Sequence, residues 1–233
     1  MPYRRFPKTD TARLKSLRTL LDNNDVYAAN RRFLDMATIN KAKEAYDSLK
    51  TLSEQFMLCY EAQMRNYQQL AKPQKRLMMY VLHFVRVLDM SIERGEMKPS
   101  IIAEYYGADN TDELMRQLHN IDDVCRITPK IIDGEKKRIA AGGRPVYNPT
   151  IGMVATHYDI FSNIYEQQHI LNDKAERALA KVKAVREEVD KLLVGVWNEV
   201  EAHFASLPPE TRYDECRRYG LIYYYRTGEK KEK

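Results

Sequence analysis

Residues 149–207 read PTIGMVATHYDIFSNIYEQQHILNDKAERALAKVKAVREEVDKLLVGVWNEVEAHFASL. These 59 residues hold no proline after Pro149 and only two glycines, Gly152 and Gly195. Helix interiors exclude proline, and helices average about 11 to 12 residues, so one helix over this stretch is a strut of roughly 80 Å. Within it Leu171, Ala175, Ala178, Val182, Val185, Val189, Leu192 and Val196 follow one another in steps of 4, 3, 4, 3, 4, 3 and 4. That spacing is a heptad seam, which predicts coiled-coil packing against another helix.

The surrounding sequence offers helices to meet the seam. Thr38 to Ala71 repeats apolar residues every three or four positions, Lys72-Pro73 is expected to break it, and Pro73 suits the first turn of a third helix capped by Gly95. The second helix, antiparallel to the strut, is the expected intramolecular partner, with self-association the alternative. The third helix is apolar on most of its circumference, from Leu77 to Ile92, and is expected to be central, with His83 a hydrogen-bonded core histidine. A short turn at 99–106 closes at Gly107, and a helix from Asn110 or Thr111 is kinked or divided by Pro129 before Gly142-Gly143. Asn148 and Pro149 are read as cap and first turn of the strut.

Leu207-Pro208-Pro209 ends the strut, and a short helix over 210–219 precedes Leu221-Ile222-Tyr223-Tyr224-Tyr225, which alone has strong strand preference. A lone strand needs a neighbour, either Arg144 to Tyr147 or the edge of another molecule. The expected organisation is a basic arm with a short amphipathic helix at 1–25, a helical bundle at 26–207, a helix and strand at 208–227, and a mobile tail at 228–233. The fold class is all-α: an elongated bundle or antiparallel coiled coil built on one very long C-terminal helix, with a small terminal β element.

Composition agrees with helices. The chain has 233 residues, 44% hydrophobic and 30% charged, with nine glycines and nine prolines, too few for a turn-rich sheet protein. Three scattered cysteines, Cys59, Cys125 and Cys216, have no metal-ligand spacing and suggest a reducing compartment. No apolar run is long enough for a signal sequence or a membrane span, so a cytoplasmic protein with no membrane partner is expected. The net charge of +5 lies in the first 21 residues, where Arg4, Arg5, Lys8, Arg13, Lys15 and Arg18 face Asp10 alone.

Candidate chemistry is sparse. Glu166 and His169 have the Glu-x-x-His spacing of bundle di-iron sites, but it occurs once where such sites need it twice. No nucleophile elbow or paired acid and base is evident, and no phosphate loop surrounds Gly142-Gly143-Arg144, which reads as a helix end. Catalytic residues, cofactors, metals and a small-molecule substrate are therefore expected to be absent. The contact candidates are the basic arm, Arg4, Arg5, Lys8, Arg13, Lys15 and Arg18, and the aromatic strand with Tyr223, Tyr224, Tyr225 and Arg226. Such residues suit a protein interface, or a nucleic-acid backbone in the case of the arm.

Three strings stand out: Arg4-Arg5-Phe6-Pro7-Lys8-Thr9-Asp10 with Arg13, Gly142-Gly143-Arg144-Pro145 with Asn148-Pro149-Thr150, and Trp197-Asn198-Glu199-Val200-Glu201. In order and spacing they resemble an uncharacterised all-helical family from Bacteroidetes-type bacteria or their phages, over most of the chain. The resemblance implies a bacterial or phage origin and no activity. The sequence thus predicts a non-catalytic scaffold or assembly protein that contacts a protein partner or itself, the alternative being a nucleic-acid binder.

Overall fold

In the computed structural model, which describes residues 2–26 and 33–226, the protein is an all-α helical bundle. In chain order the elements are β1 (Tyr3–Arg4), α1 (Asp10–Val26), α2 (Met36–Glu93), a π-helical turn (Ile102–Tyr106), α3 (Thr111–Arg116), α4 (Ile121–Ala140), α5 (Ile151–His203), α6 (Pro209–Arg218) and β2 (Tyr223–Tyr224). The strut is therefore real: α5 is a single helix of 53 residues. It starts two residues later than expected, because Thr150 rather than Asn148 is the cap, its Oγ1 accepting from the Met153 N–H at 3.3 Å.

Pro73 does not break the second helix. It lies inside α2, which runs unbroken for 58 residues. Losing one backbone hydrogen bond and accommodating the ring costs about 3 kcal/mol. Leu70 and Leu77 on either side are buried in a common apolar cluster, each gaining about 1.5 to 3 kcal/mol, so packing outweighs the proline. Pro129 is likewise inside α4, between buried Ile127 and Ile131; the division falls earlier, where Asn120 caps α4 by accepting from Asp123 N–H at 2.9 Å.

Contacts group the described residues into two compact units. One comprises residues 2–26, 33–60 and 174–226; the other comprises 61–173. In this division the arm, the C-terminal helix and strand, and one half of each long helix share one unit. The tail expected at 228–233 lies outside the described residues.

In the first unit α2 and α5 run antiparallel, with Ile39, Ala42 and Leu49 in one core with Val182, Val189, Leu193 and Val196. The second helix is thus the partner of this part of the seam. Of the seam residues, Ala175, Val182, Val189 and Val196 are buried, while Leu171, Ala178, Val185 and Leu192 are half-buried.

The second unit packs α2 from Leu70 onward, the π-helical turn, α3, α4 and the first turns of α5 around Phe84, Leu88, Ile131 and Phe161. Its polar interior has two parts. Asn66 donates through Nδ2 to Gln168 Oε1 (2.8 Å) and Ile164 O (3.1 Å), Gln168 Nε2 donates to Asn172 Oδ1 (2.7 Å), and Gln63 Nε2 to the same oxygen (2.9 Å), a ladder fixing the register of α2 on α5. On α4, fully buried Glu135 accepts from Arg138 Nε (2.7 Å) and Nη2 (2.9 Å), from the Tyr106 hydroxyl and from Val146 N–H (3.2 Å). His83 is exposed rather than buried, on the side of α2 away from Phe84 and Leu88.

Candidate functional site

The sequence-predicted contact elements meet each other. β1 pairs antiparallel with β2, Tyr3 opposite Tyr224 and Arg4 opposite Tyr223, and Arg5 N–H donates to Ile222 O at 2.7 Å. The neighbour within the chain is the N-terminal arm rather than Arg144 to Tyr147. Each short strand supplies backbone hydrogen-bond partners to the other.

Period-two alternation sorts this ribbon into two faces. On the inner face Arg4 Nη1 donates to Asn198 Oδ1 of α5 (2.8 Å), its Nε lies 3.8 Å from Glu201, and the Tyr223 hydroxyl donates to Glu201 at 2.6 Å. Burial, and then the bond to Glu201, hold the Tyr223 phenol above its ordinary range. On the outer face the Tyr3 and Tyr224 rings are 5.9 Å apart, 37% and 41% exposed, and the Arg226 guanidinium sits 4.2 Å above Tyr3. Tyr225 is half-buried beyond the strand.

Below the ribbon the arm descends along α5. Phe6 meets the buried Trp197 edge-on at 5.4 Å, Arg13 forks onto Asp190 at 2.7 and 2.8 Å and also donates to Lys8 O, and Asp10 receives both donors of Arg186 at 2.6 Å. Hydrogen bonding to Asp190 raises the Arg13 pKa further. Gly220, at φ +84, brings the chain back beside α1; a Cβ there would stand 2.5 Å from Ser16 O, and Ser16 Oγ donates to Gly220 O at 3.0 Å.

This corrects the contact list. Arg13 is a buried structural residue, and Tyr223 faces inward. Arg18 is paired with Asp22 at 3.6 Å on an exposed turn, while Arg5, Lys8 and Lys15 stand exposed.

Between the ribbon, α5 and α6 lies a cleft of about 570 Å³ lined by Pro2, Tyr3, Arg4, Asn198, Glu201, Ala202, Arg212, Tyr213 and Tyr223. Arg4 and Tyr223 were legible as contact residues; Arg212 and Tyr213 were not, because only the fold of α6 brings them to the ribbon. Arg212 Nη2 donates to Tyr213 Oη (3.1 Å) with its guanidinium 5.0 Å over that ring, and Tyr213 lies 5.0 Å from Tyr223. Glu166 and His169 are exposed, and among the described residues no group of three or more His, Cys, Asp or Glu side chains could hold a metal ion. No helix among the described residues is long and apolar enough to cross a membrane.

No protein-family model matches the chain, and no curated protein or solved structure is detectably similar to it.

Proposed function

We propose that this protein is a non-catalytic scaffold or assembly component of the cytoplasm, and that it contacts a protein partner or a second copy of itself through the ribbon formed by its two chain ends. The antiparallel pairing of α2 and α5 within the first unit acts in this reading as a coiled-coil support for the ribbon. The observation that carries it is the outer face of the ribbon, where Tyr3, Ile222 and Tyr224 are exposed side by side with Arg5 and Arg226. Tyrosine and arginine with an apolar neighbour are the residue types enriched where proteins bind one another. Three free thiols suit a reducing compartment.

Phosphate tracking by the arm is the weaker reading, because Arg13 and Arg4 are engaged by carboxylate or amide groups of α5 and Arg18 by Asp22. Light scattering over a range of protein and salt concentrations, with the ultraviolet absorbance ratio recorded, tests the choice. A mass that rises with concentration and falls in the Ile222→Ser/Tyr224→Ser variant is expected. Retained nucleic acid that is released by salt, with a constant monomer mass, overturns the proposal.

A further inference from the structure

We infer that the cleft beside the ribbon receives one carboxylate carried on an extended segment of a protein partner, and that Arg212 is the residue that reads it. This deepens the contact role proposed above and rests on it. The charge inventory of the lining is two guanidinium groups, Arg4 and Arg212, against one carboxylate, Glu201. Glu201 is occupied within the fold, accepting from Tyr223 and lying beside Arg4. Arg212 is different. Among the described residues it has no carboxylate within ion-pair distance; its partner is the Tyr213 hydroxyl, and the ring beneath it holds the guanidinium at the cleft wall.

A half-buried guanidinium positioned by an aromatic ring and left without an acid is pre-organised for a bidentate carboxylate, with less side-chain entropy to lose than a free surface arginine. The lining's net charge of one unit is neutralised by one carboxylate. A polyanion fits less well, since successive phosphates would crowd the Glu201 carboxylate. The register of the ribbon supplies the reason for an extended occupant. Arg5 and Ile222 form a hydrogen-bonded pair, so Arg4 and Tyr223 form the intervening non-bonded pair and direct their own N–H and C=O outward. The free groups of the two residues point to opposite edges of the ribbon, so an extended segment laid along either edge finds the backbone partners of one of them beside the cleft that both line.

The test uses the full chain and a fluorescein-labelled pool of decapeptides with a central glutamate and valine, threonine, serine or tyrosine at the other positions. A matched pool with central glutamine and a labelled ten-nucleotide oligo-dT complete the set, all read by fluorescence anisotropy. The glutamate pool is expected to bind about tenfold or more tightly than the glutamine pool, as a charge-assisted hydrogen bond requires, and Arg212→Gln should abolish that difference. Glu201→Gln keeps the acceptor for Tyr223 and removes the competing charge, so it should tighten glutamate-pool binding severalfold, a gain that a misfolded variant cannot give. Equal binding of the two pools, or binding of neither, overturns the inference, and so does tighter binding of oligo-dT that depends on Arg212. None of these results alters the concentration-dependent mass, whereas loss of that mass with the glutamate preference intact would remove self-assembly alone.

Discussion

The two units hold their polar groups in opposite ways. In the second, the decisive carboxylate is sealed: Glu135 is 0% exposed, and its partners Arg138, Val146 and Tyr106 lie 3, 11 and 29 residues away in sequence. In the first, the two ion pairs that tie α1 to α5 sit at the edge of water and join residues from opposite ends of the chain, with Asp10 and Arg186 separated by 176 positions and Arg13 and Asp190 by 177. Sealed local networks fix the path of a segment. Distant, half-solvated ones strap a terminus to a helix and leave neighbouring groups such as Arg212 free for other chemistry. Stability is therefore expected to concentrate around Glu135, and adaptable contact around the ribbon.

The largest effect follows directly. Glu135→Ala leaves the Arg138 guanidinium buried without its acid, and removing one partner of a buried pair costs about 3 to 5 kcal/mol. Urea unfolding should show that loss, and hydrogen exchange should show amides in 121–140 losing protection first. Glu135→Gln, which keeps an acceptor for Tyr106 and Val146, should cost less. An alanine variant as stable as the wild type would mean that the sealed network contributes no more than the surface pairs, and the contrast between the units would fail.

Element identity was readable because it depends on local pattern. The proline-free heptad run specifies α5, and glycine ends such as Gly95 and Gly107, both at positive φ, mark where α2 and the π-helical turn stop. At Pro73 the local penalty is visible in sequence, while the burial of Leu70 and Leu77 that offsets it is not. The ribbon was half legible. Strand preference marked Tyr223 and Tyr224, yet their partner lies more than 200 residues upstream, and no periodicity encodes such a pairing. The three strings singled out by resemblance are all joints of the fold: the first lies along the third on α5, and Arg144 of the second accepts from Arg138 Nη2 at 2.6 Å beside Glu135. The arm's basic charge was legible as composition, but which arginines are structural depended on acids at Asp190 and Glu201 that read as an ordinary solvent face.

A smaller effect sharpens the comparison from the other side. Arg13→Ala and Asp190→Ala, alone and together, form a cycle whose coupling energy is expected near 1 to 2 kcal/mol, above the surface-pair range because Arg13 is largely buried and below a sealed pair because Asp190 is about one third exposed. The coupling should weaken in high salt, whereas the Glu135 effect should not. A coupling near zero would make the arm's attachment a matter of Phe6 on Trp197 alone, testable by Phe6→Ala.

The smallest effect concerns alkaline pH, where each unit contributes a tyrosine bound to a carboxylate. In the second unit, the hydrogen bond to Asp122 pushes Tyr165 up to about 12; in the first, burial and Glu201 raise Tyr223. Both folded-state values lie above that of an unfolded tyrosine, about 10. Their stabilisation is thus complete below about pH 10 and is lost as pH rises from there through the folded values, because the unfolded chain then binds fewer protons than the folded one. Urea midpoints of wild type and of the Tyr223→Phe and Tyr165→Phe variants between pH 8 and pH 11.5 read this out. Each phenylalanine variant should begin below the wild type and close the gap as pH rises. Tyr223 should close it more, since its phenol is held by burial first, whereas Tyr165 owes its shift mainly to one more exposed hydrogen bond. A gap that stays constant for Tyr223 would mean that its phenol ionises as in the open chain, and the inner face of the ribbon would then be as accessible to water as the outer.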